Sequence, residues 1–245
     1  MLKYYEKMLP ILTRAFESQG TTLLQAAELI ADTVQSDRLI YLFGAGHAGI
    51  LSQEMIYRAG GLVPMVPIFP PGLTPTMRPM TLGTEMERIP GYAKKIIEAY
   101  ELESDAVMII HSNSGRNIVP VEMAQIARKK GLKIIALTNV AQCRSAAAKT
   151  ADGIKLIDTA DILIDNCGEN GDACVTLEPI GETVGATSTV VGAALLNAVI
   201  VEAAQIMLNR GFTPPIFRSA NLDSNDYQES NRRWMSHYGK RLLYL

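Results

Sequence analysis

Apolar positions recur along this chain in two rhythms. Over residues 2–18 they fall at Tyr5, Met8, Leu9, Leu12 and Phe16, and over 21–35 at Leu24, Ala27, Leu29, Ile30 and Val34. That is the three-and-four spacing of a helix face, so two helices open the chain. Short unbroken apolar runs follow at 38–43 (RLIYLF), 62–68 (LVPMVPI), 106–110 (AVMII) and 132–138 (LKIIALT), with shorter candidates at 161–165 (DILID) and 173–177 (ACVTL). Runs of this length bounded by polar turns predict strands covered on both faces. Helical patterns lie between them at 50–61, 92–100, 119–131 and 141–151, the third closed by Gly131. A long helix ends the pattern, preceded by the hydroxyl-rich stretch 181–189 (GETVGATST), and Glu202 is its sole ionised side chain before Arg210. So little charge predicts burial nearly all round, inside the fold or in a subunit interface.

Strands alternating with helices imply an α/β fold: a mainly parallel sheet between two helical layers, with ligands at the carboxyl ends of the strands. The chain divides into N-terminal helices (1–36), an α/β core (37–211) and a tail (212–245) that wraps the domain or reaches a neighbouring subunit. Residues 69–91 hold five prolines and three glycines, which rules out a long regular element there. Such excursions often serve as lids or subunit contacts. Glu85 and Glu87 stand at its end as an acidic helix start.

Composition narrows the function classes. A formal charge of −2 gives no electrostatic reason to expect nucleic acid or an anionic membrane. Cys143, Cys167 and Cys174 have neither an even count nor a CxxC spacing, so no disulfide framework and no metal site is expected. The first twenty residues lack a secretory pattern, and the apolar tract 190–201 is interrupted by Asn197 and too short to span a bilayer. A cytoplasmic location is the expectation.

Two strand–turn–helix units carry candidate chemistry. After the central strand, HSNSGRN (111–117) places Ser112, Asn113, Ser114, Gly115 and Asn117 before a helix that has Pro120 in its first turn. Free N–H groups at a helix start, the helix dipole and two hydroxyls together make an anion site, with phosphate as the natural guest. The same residue types also serve as ordinary turn and helix caps. After the first strand, GAGHAG (44–49) satisfies the G-x-G-x-x-G pattern through Gly44, Gly46 and Gly49. A dinucleotide site also needs an acidic residue at the end of the next strand, and 62–68 runs into Phe69, Pro70 and Pro71 instead. No cofactor is expected; the glycines let backbone approach a smaller ligand or simply make a tight turn.

FGAGHAG, HSNSGRN and ATST (186–189) together resemble the sugar isomerase (SIS) domain family, most nearly its phosphoheptose isomerase-like, phosphosugar-binding members, over roughly Thr22 to Arg210. The second stretch is similar to the family's Ser-x-Ser-Gly-x-Ser/Thr phosphate loop, with Ser112, Ser114 and Asn117 at the positions of ligands. The resemblance implies a five-stranded parallel sheet, dimers or tetramers with sites partly shared between subunits, a phosphorylated sugar or amino sugar as ligand, and aldose–ketose isomerisation through an enediol. In such isomerases a Glu on the helix after the glycine turn and a His on the long late helix move the proton. Here the first slot holds Arg58, with Glu54 one turn earlier, and the second falls near Asn197 and Ala198. Glu54, Glu85 and His47 are therefore the acid–base candidates. Gly44, Gly46, His47, Arg58, Thr187, Ser188 and Thr189 complete the expected binding set beside the phosphate loop. A binding protein without catalysis, or a sugar-phosphate lyase or etherase, is the alternative. His237 in the tail is a candidate to enter a neighbour's site.

Overall fold

A computed structural model describes residues 2–221 and 226–242. Two amphipathic helices come first, α1 (Lys3–Glu17) and α2 (Gly20–Gln35). Five strands form the main sheet: β1 (Ile40–Gly44), β2 (Met65–Pro67), β3 (Val107–His111), β4 (Lys133–Thr138) and β5 (Ile162–Asp165). Their order is β2-β1-β3-β4-β5 and every pairing is parallel. The expected five-stranded parallel sheet is present. Crossovers run through α3 (Ile50–Glu54), α4 (Met80–Met86), α5 (Tyr92–Glu98), α6 (Ile118–Lys129) and α7 (Val140–Ser145). An antiparallel hairpin of β6 (Ala173–Leu177) and β7 (Glu182–Ala186) follows, then α8 (Ser188–Asn209) and α9 (Asp226–Tyr238).

Alternation along the strands makes two cores. Ile40, Leu42, Val107 and Ile109 point to one face, where they meet Ala26, Ala27 and Ile30 of α2 and Val191, Leu195 and Val199 of α8. Tyr41, Phe43, Met108 and Ile110 point to the other, against α5, α6 and the tail residues Phe217, Tyr238 and Leu242. Each such aliphatic side chain, removed fully from water, contributes about 1.5–3 kcal/mol. Register then places the site. Gly44 lies beside His111, His111 beside Leu137 and Thr138 beside Asp165, so the turns after β1, β3, β4 and β5 leave the sheet at one level.

Several sequence expectations change. The helix predicted over 50–61 ends at Glu54, because Tyr57 adopts a left-handed φ of 42° that an α-helix does not hold. The helix predicted over 141–151 ends at Ser145. Residues 182–186, expected to be an irregular helix start, are a strand whose side chains are mostly exposed, which removes the apolar signal. The excursion 69–91 contains α4, and the polar tail contains α9. α8 is long and apolar enough to cross a bilayer by length and composition. It packs on α2 along one face only; Val190, Val201 and Leu208 are exposed on the other, so it is not buried all round.

Candidate functional site

The turn after β3 leads into α6, and its donors are unclaimed. Asn117 stands at the N-cap position but its side chain makes no capping bond. Neither the Ser112 nor the Ser114 hydroxyl has a hydrogen-bond partner among the described residues, and the same holds for the backbone N–H groups of Asn113, Ser114, Arg116 and Asn117. The capping role open to these residues in the sequence is therefore not the one they take. The Gly115 N–H closes the turn onto the Ser112 carbonyl at 3.1 Å. Gly115 has a φ of 60°, and a Cβ there would stand 2.7 Å from Cys143 Sγ and 2.8 Å from Thr138 Oγ1. Only glycine fits the conformation and the space.

Asn113 is used differently from its neighbours. Its Oδ1 accepts from Asn166 at 2.7 Å and its Nδ2 donates to Gln142 at 3.3 Å, while its carbonyl accepts from Thr138 Oγ1 and the Asn139 N–H. Asn139 caps α7 and donates to the Gly168 carbonyl. This chain of amides ties the ends of β3, β4 and β5 together and holds the loop in place, with Ser112 buried and Ser114 half-buried beside it.

The glycine turn after β1 sits alongside. A Cβ on Gly44 would meet the Ala48 carbonyl at 2.5 Å, and one on Gly49 the Gly44 oxygen at 2.8 Å, so these glycines let the turn close on itself. Gly46 has a φ of 59° and donates to the Leu73 carbonyl at 2.7 Å. His47 projects from this turn and is exposed. His111 links the two turns: its Nδ1 lies 3.1 Å from the Ala48 carbonyl and must carry the proton, since that carbonyl only accepts. Burial pulls its pKa down to about 4, against smaller opposing effects of that bond and of Asp172, so the ring is neutral at pH 7.

The other expected residues divide. Glu54 pairs with Arg58 and accepts from Asn197 of α8 at 3.3 Å, so Glu54, one turn before the first slot, is the group that meets the second. Arg58 makes the pair from beyond the end of the helix. Thr187 and Ser188 are committed to Asp172. Its carboxylate accepts from both hydroxyls and from both N–H groups at 2.7–3.1 Å. Burial works to raise the Asp172 pKa, but these donors outweigh it and hold the carboxyl below its usual range. Thr189 is half-buried with no bond of this kind. Glu85 is 70% exposed and pairs with Arg88 at 3.4 Å.

Glu87, two residues on and read in the sequence only as part of an acidic helix start, is half-buried beside the loop. Its carbonyl accepts from the Val119 N–H at 3.1 Å, which holds it against the first turn of α6. Burial pushes its carboxyl pKa up, while Asn117, Lys149 and Arg88 around it act in the opposite sense. Lys149 joins the same group through its N–H on the Arg116 carbonyl at 3.0 Å. Burial, Arg88 and Arg116 lower its pKa, offset in part by Glu87 and Glu85.

His237 lies elsewhere. It contacts Asp37 at 2.8 Å, beside Arg241, which also holds Glu103, at the opposite end of β1 from the glycine turn. A cavity of about 630 Å³ opens there between α2 and α9, lined by Val34, Asp37, Phe212, Trp234 and His237 among others, and it contains none of the expected phosphate ligands. Among the described residues no group of three or more His, Cys, Asp or Glu is placed to hold a metal.

Residues 3–139 match the SIS domain. The chain is 37% identical over 229 residues to a UPF0309 protein of Shouchella clausii, covering 93% of each. It is also 37% identical over 243 residues to a UPF0309 protein of Streptomyces coelicolor, covering 99% of this chain and 96% of that one. Among solved structures, a phosphoheptose isomerase from Francisella tularensis superposes with a TM-score of 0.52 at 14% identity, over 82% of this chain and 95% of that one. At that identity the likeness speaks for the fold.

Proposed function

The chain belongs to the SIS domain family, and we propose that it binds a phosphorylated sugar or amino sugar at the Ser112–Asn117 loop and interconverts aldose and ketose through an enediol. One observation carries this reading: two serine hydroxyls and a row of backbone N–H groups converge at the start of α6 with no protein group to satisfy them. Such a set matches a phosphate, whose oxygens accept several bonds at once, and the helix dipole adds to it. Proton transfer between adjacent sugar carbons then needs an acid–base group beside the loop. Glu54, Glu85, His47 and Glu87 are the available ones. His47 and Arg58 stand on the glycine-turn side, where sugar hydroxyls would lie. The protein acts in the cytoplasm as a homo-oligomer, a second copy covering the apolar stripe Val190, Val201 and Leu208 of α8; sedimentation giving a monomer would refute that part.

The test is the thermal midpoint of the protein against a panel of sugar phosphates, with Ser114→Ala as control. Ligand at a hundred times its dissociation constant adds about 2.7 kcal/mol, which for a chain of this length raises the midpoint by roughly 5 °C. A shift confined to one or two phosphorylated sugars and lost in the variant is expected. No shift, or an equal shift in the variant, refutes the loop as the phosphate site.

A second reading has its own observation. Glu54 is engaged by Arg58 and Asn197, and Asn197 stands where the resemblance places a catalytic histidine. On that reading the same pocket senses a phosphosugar without turning it over, and measurable turnover of any sugar phosphate excludes it.

A further inference from the structure

We propose that Glu87, not Glu54, moves the proton between the sugar carbons in this site. The inference rests on the phosphosugar reading above and assigns a residue to its chemistry. Three segments converge behind the phosphate loop. The end of α4 brings Glu87, whose carbonyl is fixed by the Val119 N–H; the loop itself brings Arg116 and Asn117; and the stretch after α7 brings Lys149, fixed on the Arg116 carbonyl. Glu87 is thus anchored by main-chain bonds to the helix whose start would hold the phosphate. Among the described residues its carboxylate forms no ion pair within 4 Å.

Glu54 is in the opposite state. Its Oε1 is paired with Arg58 and also accepts from Asn197, so one of its two oxygens is engaged by protein groups. Glu85, two residues before Glu87, is exposed and paired with Arg88. Of the three carboxylates, Glu87 alone combines contact with the loop, partial burial and freedom from an ion pair. The charged groups facing it are Lys149 and Arg88, with Glu85 and Arg116 next to those, and its carboxylate accepts a hydrogen bond from the Asn117 side chain. Burial favours the neutral carboxyl, and a bound phosphate adds a like charge that shifts it further the same way. A carboxyl held in this manner takes a proton more readily than an exposed one and returns it within the site.

The step balances without a co-reactant. The Glu87 carboxylate removes the proton on C2 of the open-chain aldose, and the electron pair forms the C1–C2 double bond of an enediolate. The hydroxyl proton on O2 passes to O1 through solvent, and the Glu87 carboxylic acid delivers its proton to C1. Aldose has become ketose, and Glu87 is again a carboxylate.

The experiment is NMR-detected deuterium uptake from D2O into a panel of sugar phosphates, at the carbon next to the carbonyl, run beside midpoint measurements with the same compounds. The wild-type protein is expected to exchange at least one sugar phosphate. Glu87→Gln should lose about a thousandfold in exchange rate yet keep the wild-type midpoint shift, which shows it folded and binding. Glu87→Asp should recover part of the rate, with the acid limb of its pH profile displaced, which a merely structural role would not produce. Glu54→Gln should lose far less exchange than Glu87→Gln. Exchange retained in Glu87→Gln, or lost in Glu54→Gln to the same degree, overturns the assignment. A wild-type midpoint shift without exchange of any sugar phosphate overturns it while leaving phosphosugar binding intact. Absence of any midpoint shift removes the binding reading and the assignment together.

Discussion

In the turn after β1 the backbone folds onto itself: Gly44, Ala48 and Gly49 approach so closely that side chains are excluded, and the Ala48 carbonyl is taken by His111. In the turn after β3, one strand over and at the same level, the chain opens outward and leaves two hydroxyls and four N–H groups unclaimed. Both turns use glycine and both lead into helices. Each turn has one left-handed glycine, Gly46 and Gly115; in the first Gly44 and Gly49 also let the backbone close on itself, and in the second the donors around Gly115 stay without protein partners among the described residues. A glycine pattern is therefore poor evidence of a ligand site by itself. What marks the site is the set of polar groups that the fold leaves unsatisfied.

The largest expected effect breaks the second turn. Gly115→Ala places a Cβ against Cys143 and Thr138 in a left-handed conformation, at a cost of about 1–2 kcal/mol for the backbone and about 1–3 kcal/mol for overpacking. Chemical denaturation should show a loss near 4 kcal/mol, and any sugar-phosphate midpoint shift should vanish. Gly44→Ala should cost about 3 kcal/mol by overpacking alone but keep its ligand-induced midpoint shift, because its donors are not the ones facing the ligand. If both variants lose binding equally, the two turns are one unit and the contrast fails.

His111, at the seam, sharpens the comparison through pH. Its pKa is about 4 in the fold against 6.5 for the ordinary group. Above pH 6.5 the ring is neutral in both states and its contribution is complete. As pH falls from 6.5 towards 4 the unfolded chain takes up a proton that the folded protein refuses, so stability drops by about 3 kcal/mol over that window. Denaturant midpoints of His111→Asn against pH should lack this slope. The smallest effect belongs to Arg58→Ala. The pair with Glu54 is half exposed, so its loss should change stability by no more than about 0.5 kcal/mol; a loss of several kcal/mol would show that Arg58 holds α3 to its neighbours.

Much of this was readable before any coordinates. The buried strands announced themselves as unbroken aliphatic runs because a sheet covered on both faces has no solvent side to place polar residues. The candidate phosphate loop was readable as a turn because serine, asparagine and glycine clustered between such a run and a helix. β7 escaped because its side chains are largely exposed, and α9 because most of its surface is polar and little beyond Tyr238 near its end marks a buried face. Glu85 and Glu87 could not be told apart in the sequence. Residues two apart at the end of a helical turn point to nearly opposite sides, and which side meets the loop depends on how α4 is docked.

Local sequence thus determined the alternation of elements, the parallel sheet and the position of the polar turn proposed to bind an anion, since periodicity and turn chemistry act over a few residues. Tertiary structure decided which polar groups were left over. Whether a hydroxyl or carboxylate is satisfied depends on partners far along the chain: Asp172 claims Thr187 and Ser188, Asn166 claims Asn113, and Asn197 with Arg58 engages one oxygen of Glu54, whereas among the described residues the Ser112 and Ser114 hydroxyls have no partner and Glu87 has no ion pair. Those long-range bonds depend on how helices dock on the sheet, a geometry that no window of sequence encodes.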